Sequence, residues 1–393
     1  MNNLLNLKKR KCPVCDSKNY SIFYKNDNYS KIDTRGIIYR YKHILVICNN
    51  CNLVYSNPWL GYKNTNKIYS NSAIGAAFED SNKAKKHFKC FKSFFQKKNS
   101  FDKDTKILEI GTATGILLKN ISNFYNLKKK NLDGIEPSKK LYEKLKNNNY
   151  FKIENKFIDQ MKGKNKYDLI IMDNVLEHIE EPKKALDKIK SLMNTSSKLY
   201  IAIPNIFKYK NNFRDPFGHT INYYENNIKY LFENNGFKIL KLKKHYNYLN
   251  FIAKIEATNK KIKYQFKKDS KNKFDRVRNF IKKAVKYKVS IKKKFLLLEK
   301  NIKKNNQKII LFGSSNFALE FLNSTNLKKN IKFIVDSNPI YHNKKKFNLN
   351  VMSPQKIKNE KFDKILITSR AFSKDIYKTL IKLGVAKNKI IKL

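Results

Sequence analysis

The chain has 393 residues, of which 41% are hydrophobic and 13% aromatic, so it can bury the cores of two or three domains and is not a disordered chain. It contains 85 Lys and Arg against 31 Asp and Glu, a formal net charge of +54 at pH 7. The sequence shows neither an apolar run as long as a membrane helix nor the apolar core of a signal peptide, so we expect a soluble, cytoplasmic protein.

The positive charge has two explanations. It can indicate binding to nucleic acid or to an anionic membrane. However, the basic residues are overwhelmingly lysine, and they are spread along the chain together with abundant asparagine, as AT-rich coding produces. Neither an arginine cluster nor an RNA-binding signature accompanies them. We therefore expect that nucleic acid is not the partner, and that the field helps to attract an anionic small molecule.

Residues 1–70 contain two pairs of cysteines. Cys12 and Cys15 stand in CPVC, and Cys48 and Cys51 stand in CNNC. Each pair can form a tight turn that directs two sulfurs at one ion, and four thiolates complete a closed tetrahedral Zn²⁺ site. Alternating apolar residues between the pairs predict strands. We expect a small β module with a structural zinc, the alternative being two reduced pairs with a redox or structural role.

A helical segment, residues 71–100, leads into the stretch Thr105–Ile116, TKILEIGTATGI. The pattern predicts a buried strand, a turn with two glycines, Gly111 and Gly115, and a helix. Such a turn lets the backbone approach a ligand closely, and the new helix directs free N–H groups at an anion. The dinucleotide pattern G-x-G-x-x-G fits poorly, because Ala113 and Ile116 occupy its second and third glycine positions.

Further strands follow. Asn131–Glu136 predicts a second strand that ends in an acid, and an acid at this position can accept both hydroxyls of a ribose. Phe157–Asp159 is a candidate third strand, which would bring Asp159 near an adenine. Tyr167–Met172 predicts a fourth strand and Lys198–Pro204 a fifth.

The fourth strand is followed by DNVLEHIEEP, whose polar members include Asp173, Asn174, Glu177 and His178. His178 either touches cofactor or substrate or simply lines the start of the next helix.

The last third of the chain is predicted to be helical first and α/β afterwards. Residues 261–305 are rich in lysine and carry apolar residues at helical spacing, so we expect a helical connector packed on a domain; resting on a membrane surface is the alternative. From Lys308 a second strand, glycine turn and helix begin, and a later strand ends at Asp336. Residues 306–393 are therefore predicted to form a second Rossmann-like domain.

The pattern E-x-G-x-x-x-G, from Glu109 to Gly115, resembles motif I of the class I S-adenosylmethionine-dependent methyltransferases, which usually have a glycine where Ala113 stands. The cysteine pairs, the phrase CNLVYSNP and the domain order resemble the three-domain sugar C-methyltransferases. The resemblance implies an α/β protein: a central doubly wound seven-stranded sheet over residues 71–260, a zinc-binding β module and a C-terminal Rossmann-like domain. It also implies S-adenosylmethionine as cofactor, bound by Glu109, Gly111, Ala113, Gly115, Glu136, Asp159, Asp173, Asn174 and His178.

In the resembled family, a carboxylate–histidine pair and a tyrosine work on the sugar. The corresponding region here contains Asp215, His219, Tyr223 and Tyr224. We expect His219 to be the catalytic base, or else to bind substrate, and Tyr223 or Tyr224 to donate a hydrogen bond to an enolate oxygen. Because Gly218 precedes His219, the adjacent carboxylate is missing, which leaves C- and O-methylation both open.

The expected function is therefore methyl transfer from S-adenosylmethionine to a sugar or nucleotide-sugar in glycan or natural-product biosynthesis. The family's C-terminal domain helps to hold the nucleotide-sugar, and the same role is implied for residues 306–393. Two alternatives remain, an RNA methyltransferase and a catalytically degenerate scaffold that binds S-adenosylmethionine.

Overall fold

The structure is a computed structural model that describes residues 3–4, 7–32, 38–71, 81–163, 165–208, 219–256, 270–370 and 372–393. Asp215 and Gly218 lie outside the described residues. The chain forms two compact units. One contains Leu5–Asp27 and Lys42–Lys282, and the other contains Met1–Leu4, Asn28–Tyr41 and Lys283–Leu393. The four cysteines of the predicted zinc module therefore belong to the same compact unit as the predicted central domain, whereas residues 1–4 and 28–41 belong to the other unit.

The N-terminal part of the chain forms a small antiparallel sheet and two helices. Its elements are β1 (Asn3–Leu4), β2 (Tyr20–Ile32), β3 (Ile38–Cys48), β4 (Val54–Ser56), α1 (Tyr62–Ser70) and α2 (Ser81–Lys92). Strand β3 pairs with β2 and antiparallel with β4, whereas β1 adds to β3 in parallel.

The central part alternates strands and helices. Its elements are β5 (Ile107–Ile110), α3 (Ile116–Tyr125), β6 (Leu132–Ile135), α4 (Lys139–Leu145), β7 (Lys152–Glu154), β8 (Tyr167–Asp173), α5 (Pro182–Ser191), β9 (Met193–Pro204), β10 (Ile221–Asn222), α6 (Glu225–Glu233), β11 (Phe237–His245) and β12 (Tyr248–Ile255). Strand β10 does not join the central sheet but pairs antiparallel with β4.

The central sheet has seven strands in the order β11-β12-β9-β8-β5-β6-β7. Strands β5 to β9 are parallel, and the hairpin of β11 and β12 pairs antiparallel with β9. The predicted α/β fold with a seven-stranded sheet is confirmed. Because the chain continues on opposite sides of β5, the carboxyl ends of β5, β6 and β8 border a crevice at a switch point of the topology.

One expectation about the sheet was wrong. The third strand is Lys152–Glu154, whereas Ile158–Gln160 forms a single 3₁₀ turn, with Phe157 immediately before it. Three apolar or acidic residues in a row do not distinguish a short strand from a turn, because neither has room to show a period.

The β module and the central sheet share one hydrophobic core. Val14, Val46 and Tyr55 from the module belong to the same buried cluster as Ile110 and Ile201 of the sheet. The opposite face of the sheet is covered by a second cluster, in which Phe91 of α2 and Leu118 of α3 are fully buried. The module is therefore packed on the central domain as part of one folded unit.

The remaining elements are the long helix α7 (Ser270–Lys304), β13 (Ile309–Phe312), α8 (Asn316–Ser324), β14 (Ile331–Val335), β15 (Lys344–Lys346), β16 (Leu349–Met352), β17 (Lys364–Ile367), α9 (Ser373–Lys382) and β18 (Ile390–Lys392). Helix α7 covers most of the predicted connector. The strands form a six-stranded sheet in the order β15-β16-β14-β13-β17-β18. Alternate residues of β13 enter two separate cores, Leu311 on one face and Ile310 on the other, as the pleat of a strand requires.

Within the part of the chain that the structure describes, none of the helices has the length and apolar character needed to cross a membrane. The 35-residue α7 is the longest of them, and lysines interrupt it throughout.

Candidate active site

A cavity of about 320 Å³ opens beside the carboxyl ends of β5, β6 and β8. Its described lining includes Glu109, Gly111, Ala113, Glu136, Asp159, Asp173, Asn174, His178 and His219. These residues come from segments up to 110 positions apart, and the parallel sheet brings them together because its strands all end at one edge. Gly115, Tyr223 and Tyr224 are not among the described residues that line this cavity.

The bend after β5 depends on its glycines. Gly111 has φ +73°, and a Cβ there would lie 2.6 Å from Val175 Cγ2. Gly115 has φ +72°, and its added Cβ would lie 2.6 Å from Phe151 Cζ. Both positions require a left-handed backbone and close packing, which is the use of glycine. Gly115 therefore packs against Phe151 at the start of α3, whereas Gly111 lines the cavity.

Ala113 stands at a left-handed position as well, with φ +52°. Its backbone amide donates a hydrogen bond to Glu136 Oε2 at 2.8 Å, and the amide of Ser138 donates to Oε1 at 2.8 Å. Burial raises the pKa of Glu136, and these two amides act in the opposite direction. The carboxylate is thus fixed at the end of β6 by two backbone donors.

Two more acids lie deeper in the crevice. Glu109 is 3% exposed, and its pKa is raised well above the usual value by burial, by the charge of Asp173 and by that of Glu136. Asp173 Oδ2 lies 2.8 Å from His87 Nδ1 of α2, and Asn174 donates to Asp173 Oδ1 at 2.7 Å. Such a concentration of acidic groups in a buried site favours a cationic ligand, because a positive charge relieves their mutual repulsion.

At the other side of the cavity, two histidines lie near one glutamate. Glu177 Oε1 is 3.9 Å from His219 Nε2 and 4.0 Å from His178 Nε2. The two imidazole rings have centroids 4.9 Å apart, and Tyr69 of α1 packs on His178 with centroids 5.4 Å apart. All four residues line the cavity. A carboxylate, two imidazoles and a phenol can together bind and deprotonate a polar acceptor.

The tyrosines that the sequence indicated are placed elsewhere. The Tyr224 hydroxyl donates a hydrogen bond to the carbonyl oxygen of Cys51 at 3.1 Å. Tyr223 is 1% exposed, and burial, followed by the charge of Glu177, raises its pKa well above the usual value. Tyr69 is the phenol that lines the cavity near the histidines. Sequence reasoning missed Tyr69, because nothing in the spacing of α1 indicates which element its face would pack on.

The loop residues around the histidines are held by an N-terminal arginine that sequence reasoning also missed. Arg10 donates from Nη1 to the Glu180 carbonyl at 3.1 Å and from Nη2 to the Thr220 carbonyl at 3.4 Å. Thr65 Oγ1 donates to Glu180 Oε1 at 2.6 Å. Burial raises the pKa of the Glu180 carboxyl group to about 7. Arg10 therefore ties the segment before Cys12 to both loops that carry the histidines.

The four predicted cysteine ligands converge. The Sγ atoms of Cys12 and Cys51 are 3.5 Å apart, as are those of Cys15 and Cys48, and all four atoms lie within 4.8 Å of one another. A tetrahedral ion with bonds of 2.3 Å requires sulfurs about 3.8 Å apart. The arrangement therefore fits a Zn²⁺ ion, and a site closed by four protein ligands suits a structural ion.

Comparison with known proteins assigns two parts of the chain. Residues 81–242 match a family model described as a methyltransferase domain. Residues 305–391 match a second family model, described as C2185-like, N-terminal. The search among curated proteins gave no match. The first match covers the glycine bend and the parallel strands that border the cavity.

Several solved structures are similar to part of the chain. An S-adenosylmethionine-dependent methyltransferase from Clostridium acetobutylicum is 14% identical, with 44% of this chain and 92% of that chain covered and a TM-score of 0.35. The plantazolicin methyltransferase BpumL, in complex with SAH, is 14% identical, with 47% and 89% covered and a TM-score of 0.39. An enzyme of the same kind from Aquifex aeolicus is 20% identical, with 39% and 82% covered and a TM-score of 0.33.

Proposed function

We propose that this S-adenosylmethionine-dependent methyltransferase transfers the methyl group to a sugar or nucleotide-sugar, at oxygen or carbon, in the biosynthesis of a glycan or natural product. The observation that carries the proposal is the position of Glu177, His178 and His219, which line the same cavity as Gly111 and Glu136. Cofactor-binding groups and proton-accepting groups thus face one enclosed space.

The residues present fit the cofactor. The Glu136 carboxylate, fixed by two backbone amides, would accept hydrogen bonds from the ribose hydroxyls, and Asp159, which lines the same cavity, would help to hold the adenine. Glu109 Oε2 is buried and has no hydrogen-bond partner among the described residues, so a cationic group of the ligand can satisfy it. S-adenosylmethionine supplies a methyl group that its sulfonium has already activated.

The protein then has to supply only a base and, for a carbon acceptor, a hydrogen-bond donor. His219 accepts the proton of an acceptor hydroxyl as the acceptor attacks. For an acceptor carbon next to a ketone, a hydrogen-bond donor must stabilise the enolate oxygen. The hydroxyl of Tyr69, which lines the cavity near the histidines, can be this donor. Burial raises the pKa of Tyr69 well above its usual value, with the charges of Glu177 and Glu180 acting in the same direction. The hydroxyl therefore keeps its proton at neutral pH and can donate it in a hydrogen bond.

The charge of the cavity supports a small acceptor over RNA. The described lining contains six carboxyl groups and one lysine, namely Glu109, Glu136, Asp159, Asp173, Glu177, Glu180 and Lys156. Lys156 is itself paired with Glu154. Acidic walls favour the sulfonium and ammonium groups of the cofactor and oppose phosphate groups, so the diphosphate of a nucleotide-sugar would have to lie outside this lining, whereas RNA carries a phosphate at every nucleotide.

The test is incubation of the zinc-loaded chain with methyl-labelled S-adenosylmethionine and a panel of nucleotide-sugars, followed by mass spectrometry. The panel includes keto, hydroxy and amino sugars, and His219→Ala is the matched negative control. We expect one added labelled methyl group on at least one sugar. Label that enters RNA instead, with binding that weakens steeply with salt, would favour the RNA alternative. Cofactor binding without transfer to any acceptor would favour the scaffold alternative.

A further inference from the structure

The side chains of Glu177, His178 and His219 differ in how much of their surface is exposed. The Glu177 side chain is 2% exposed, against 12% for His219 and 16% for His178. One carboxylate oxygen, Oε1, lies at nearly equal distances from the two Nε2 atoms, 3.9 and 4.0 Å. The carboxylate is therefore the most buried of the three groups, and the two imidazoles are the more accessible ones.

We propose that Glu177 is the positioning residue of the acceptor site, in which one carboxylate oxygen serves both imidazoles. With Nε2–H of His219 directed at Glu177, the neutral ring has its proton-accepting lone pair on Nδ1. Glu177 thereby selects the tautomer and orientation in which His219 takes the acceptor proton, and it stabilises the imidazolium that forms. The inference rests on the proposed function, since it assigns the group that makes His219 a base.

Glu177 also explains how the chain can do without an acid beside His219 in sequence. Gly218 stands where the adjacent carboxylate of the resembled family is expected. Glu177 lies 42 positions earlier, in the loop after β8, and reaches the same imidazole through space. The distance of 3.9 Å is longer than a hydrogen bond, and catalytic hydrogen bonds of this kind commonly tighten when substrate binds.

The same three groups could instead bind a divalent cation, since their ligand atoms lie within 4.8 Å of one another. Metal binding by Glu177 is therefore one of the outcomes that the test below must separate from proton handling.

Other titratable groups lie near Glu177 and the two histidines and influence their titration. Tyr69 and Tyr223 both feel the charge of Glu177, which is the largest electrostatic influence on each after burial. Glu180 acts on Tyr69, and Arg10 acts on Tyr223 in the opposite direction. The two phenols keep their protons through the range in which imidazoles titrate, and Glu136 is a third acid that acts on Tyr69.

The test is ¹⁵N NMR of the histidine side chains in the full, zinc-loaded chain, which has six histidines. Single His→Asn variants assign the signals of His178 and His219. We expect the wild-type His219 to show the Nε2–H tautomer. In Glu177→Gln its titration midpoint should fall by about one pH unit, because the carboxylate that stabilises the imidazolium is gone. Glu143→Gln, an exposed change in α4, should leave the midpoint unchanged.

Kinetic measurements distinguish a positioning role of Glu177 from a purely structural one. In Glu177→Gln we expect kcat to fall about 100-fold, the acidic limb of the kcat/KM profile to move with the NMR midpoint, and S-adenosylhomocysteine affinity to stay the same. An unchanged His219 tautomer and midpoint would overturn the proposal. So would a second equivalent of metal, beyond the zinc, that Glu177→Gln releases. The NMR result stands whether or not an acceptor sugar has been found, so the two proposals can fail separately.

Discussion

The backbone amide of Ala113 donates a 2.8 Å hydrogen bond to Glu136 Oε2. This contact joins the bend after β5 to the acid after β6, so the two form one wall of the cavity. Ala113 holds its amide in place with φ +52°, a conformation that costs an L-residue roughly 1–2 kcal/mol. The bend is therefore under strain at the residue that fixes the acid.

Replacing Ala113 by glycine should relieve this strain. Part of this gain in stability is lost, because glycine loses more conformational entropy on folding than alanine does. We expect Ala113→Gly to be as stable as the wild type or up to about 1 kcal/mol more stable, and to bind cofactor normally. Denaturant unfolding monitored through the single tryptophan, Trp59, measures this. A clearly less stable variant would show that the alanine methyl group contributes packing that outweighs the strain.

The sequence predicted the strand, turn and helix units well, because buried parallel strands and glycine turns are local patterns. It did not predict the partners of His219. Glu177 lies near His219, and Tyr69 packs on His178, through the packing of α1 and of the loop after β8, which no local period encodes. In the same way, the pairing of β10 with β4 joins segments more than 160 residues apart, and sequence spacing carries no signal of it.

His219→Ala should remove turnover and leave the cofactor site intact. Loss of a general base lowers the rate by about 10²–10⁴-fold. The change removes no group from the Glu136 wall, so the Kd of S-adenosylhomocysteine should stay within about twofold. The matched control is His245→Ala, because His245 contacts Ser93 and is not among the described residues that line the cavity. Full turnover in His219→Ala would show that another residue is the base.

The four cysteines are expected to bind about one zinc per chain, and Cys48→Ser should lose it. The Cys51 carbonyl accepts hydrogen bonds from Tyr224 at 3.1 Å and Asn227 at 2.8 Å, so metal loss should also loosen the segment that follows His219. A loss of about 3 kcal/mol would lower the unfolding midpoint by roughly 6–12 °C.

Elemental analysis and the thermal midpoint of Trp59 fluorescence measure this. Cys90→Ala is the control, since Cys90 lies in α2, away from the four ligands. Zinc content that survives in Cys48→Ser would contradict the assignment.

The free energy of unfolding should depend on pH through the carboxyl group of Glu180. Burial raises its pKa to about 7 from an unfolded value of 4.5, so between these values the native state keeps a proton that the unfolded state releases. This contribution is complete below pH 4.5 and is lost as the pH rises towards 7, by up to about 3 kcal/mol.

Glu180→Gln should remove this dependence, so its stability relative to the wild type should rise between pH 5 and pH 7.5. Urea unfolding followed by Trp59 measures the difference, and Glu143→Gln, an exposed change in α4, is the control. A constant difference across this range would mean that Glu180 titrates normally in the folded protein.

The most direct measurement is calorimetric titration of the zinc-loaded chain with S-adenosylhomocysteine, in the wild type and in Glu136→Gln. A charged hydrogen bond contributes about 1.5–3 kcal/mol, so loss of the carboxylate should weaken binding about 10- to 100-fold, while the exposed change Glu143→Gln should have no effect. We predict one site per chain in the wild type and this selective loss in Glu136→Gln. A wild type that releases no heat with the ligand, or equal affinity in wild type and Glu136→Gln, would contradict the assignment of this cavity to the cofactor.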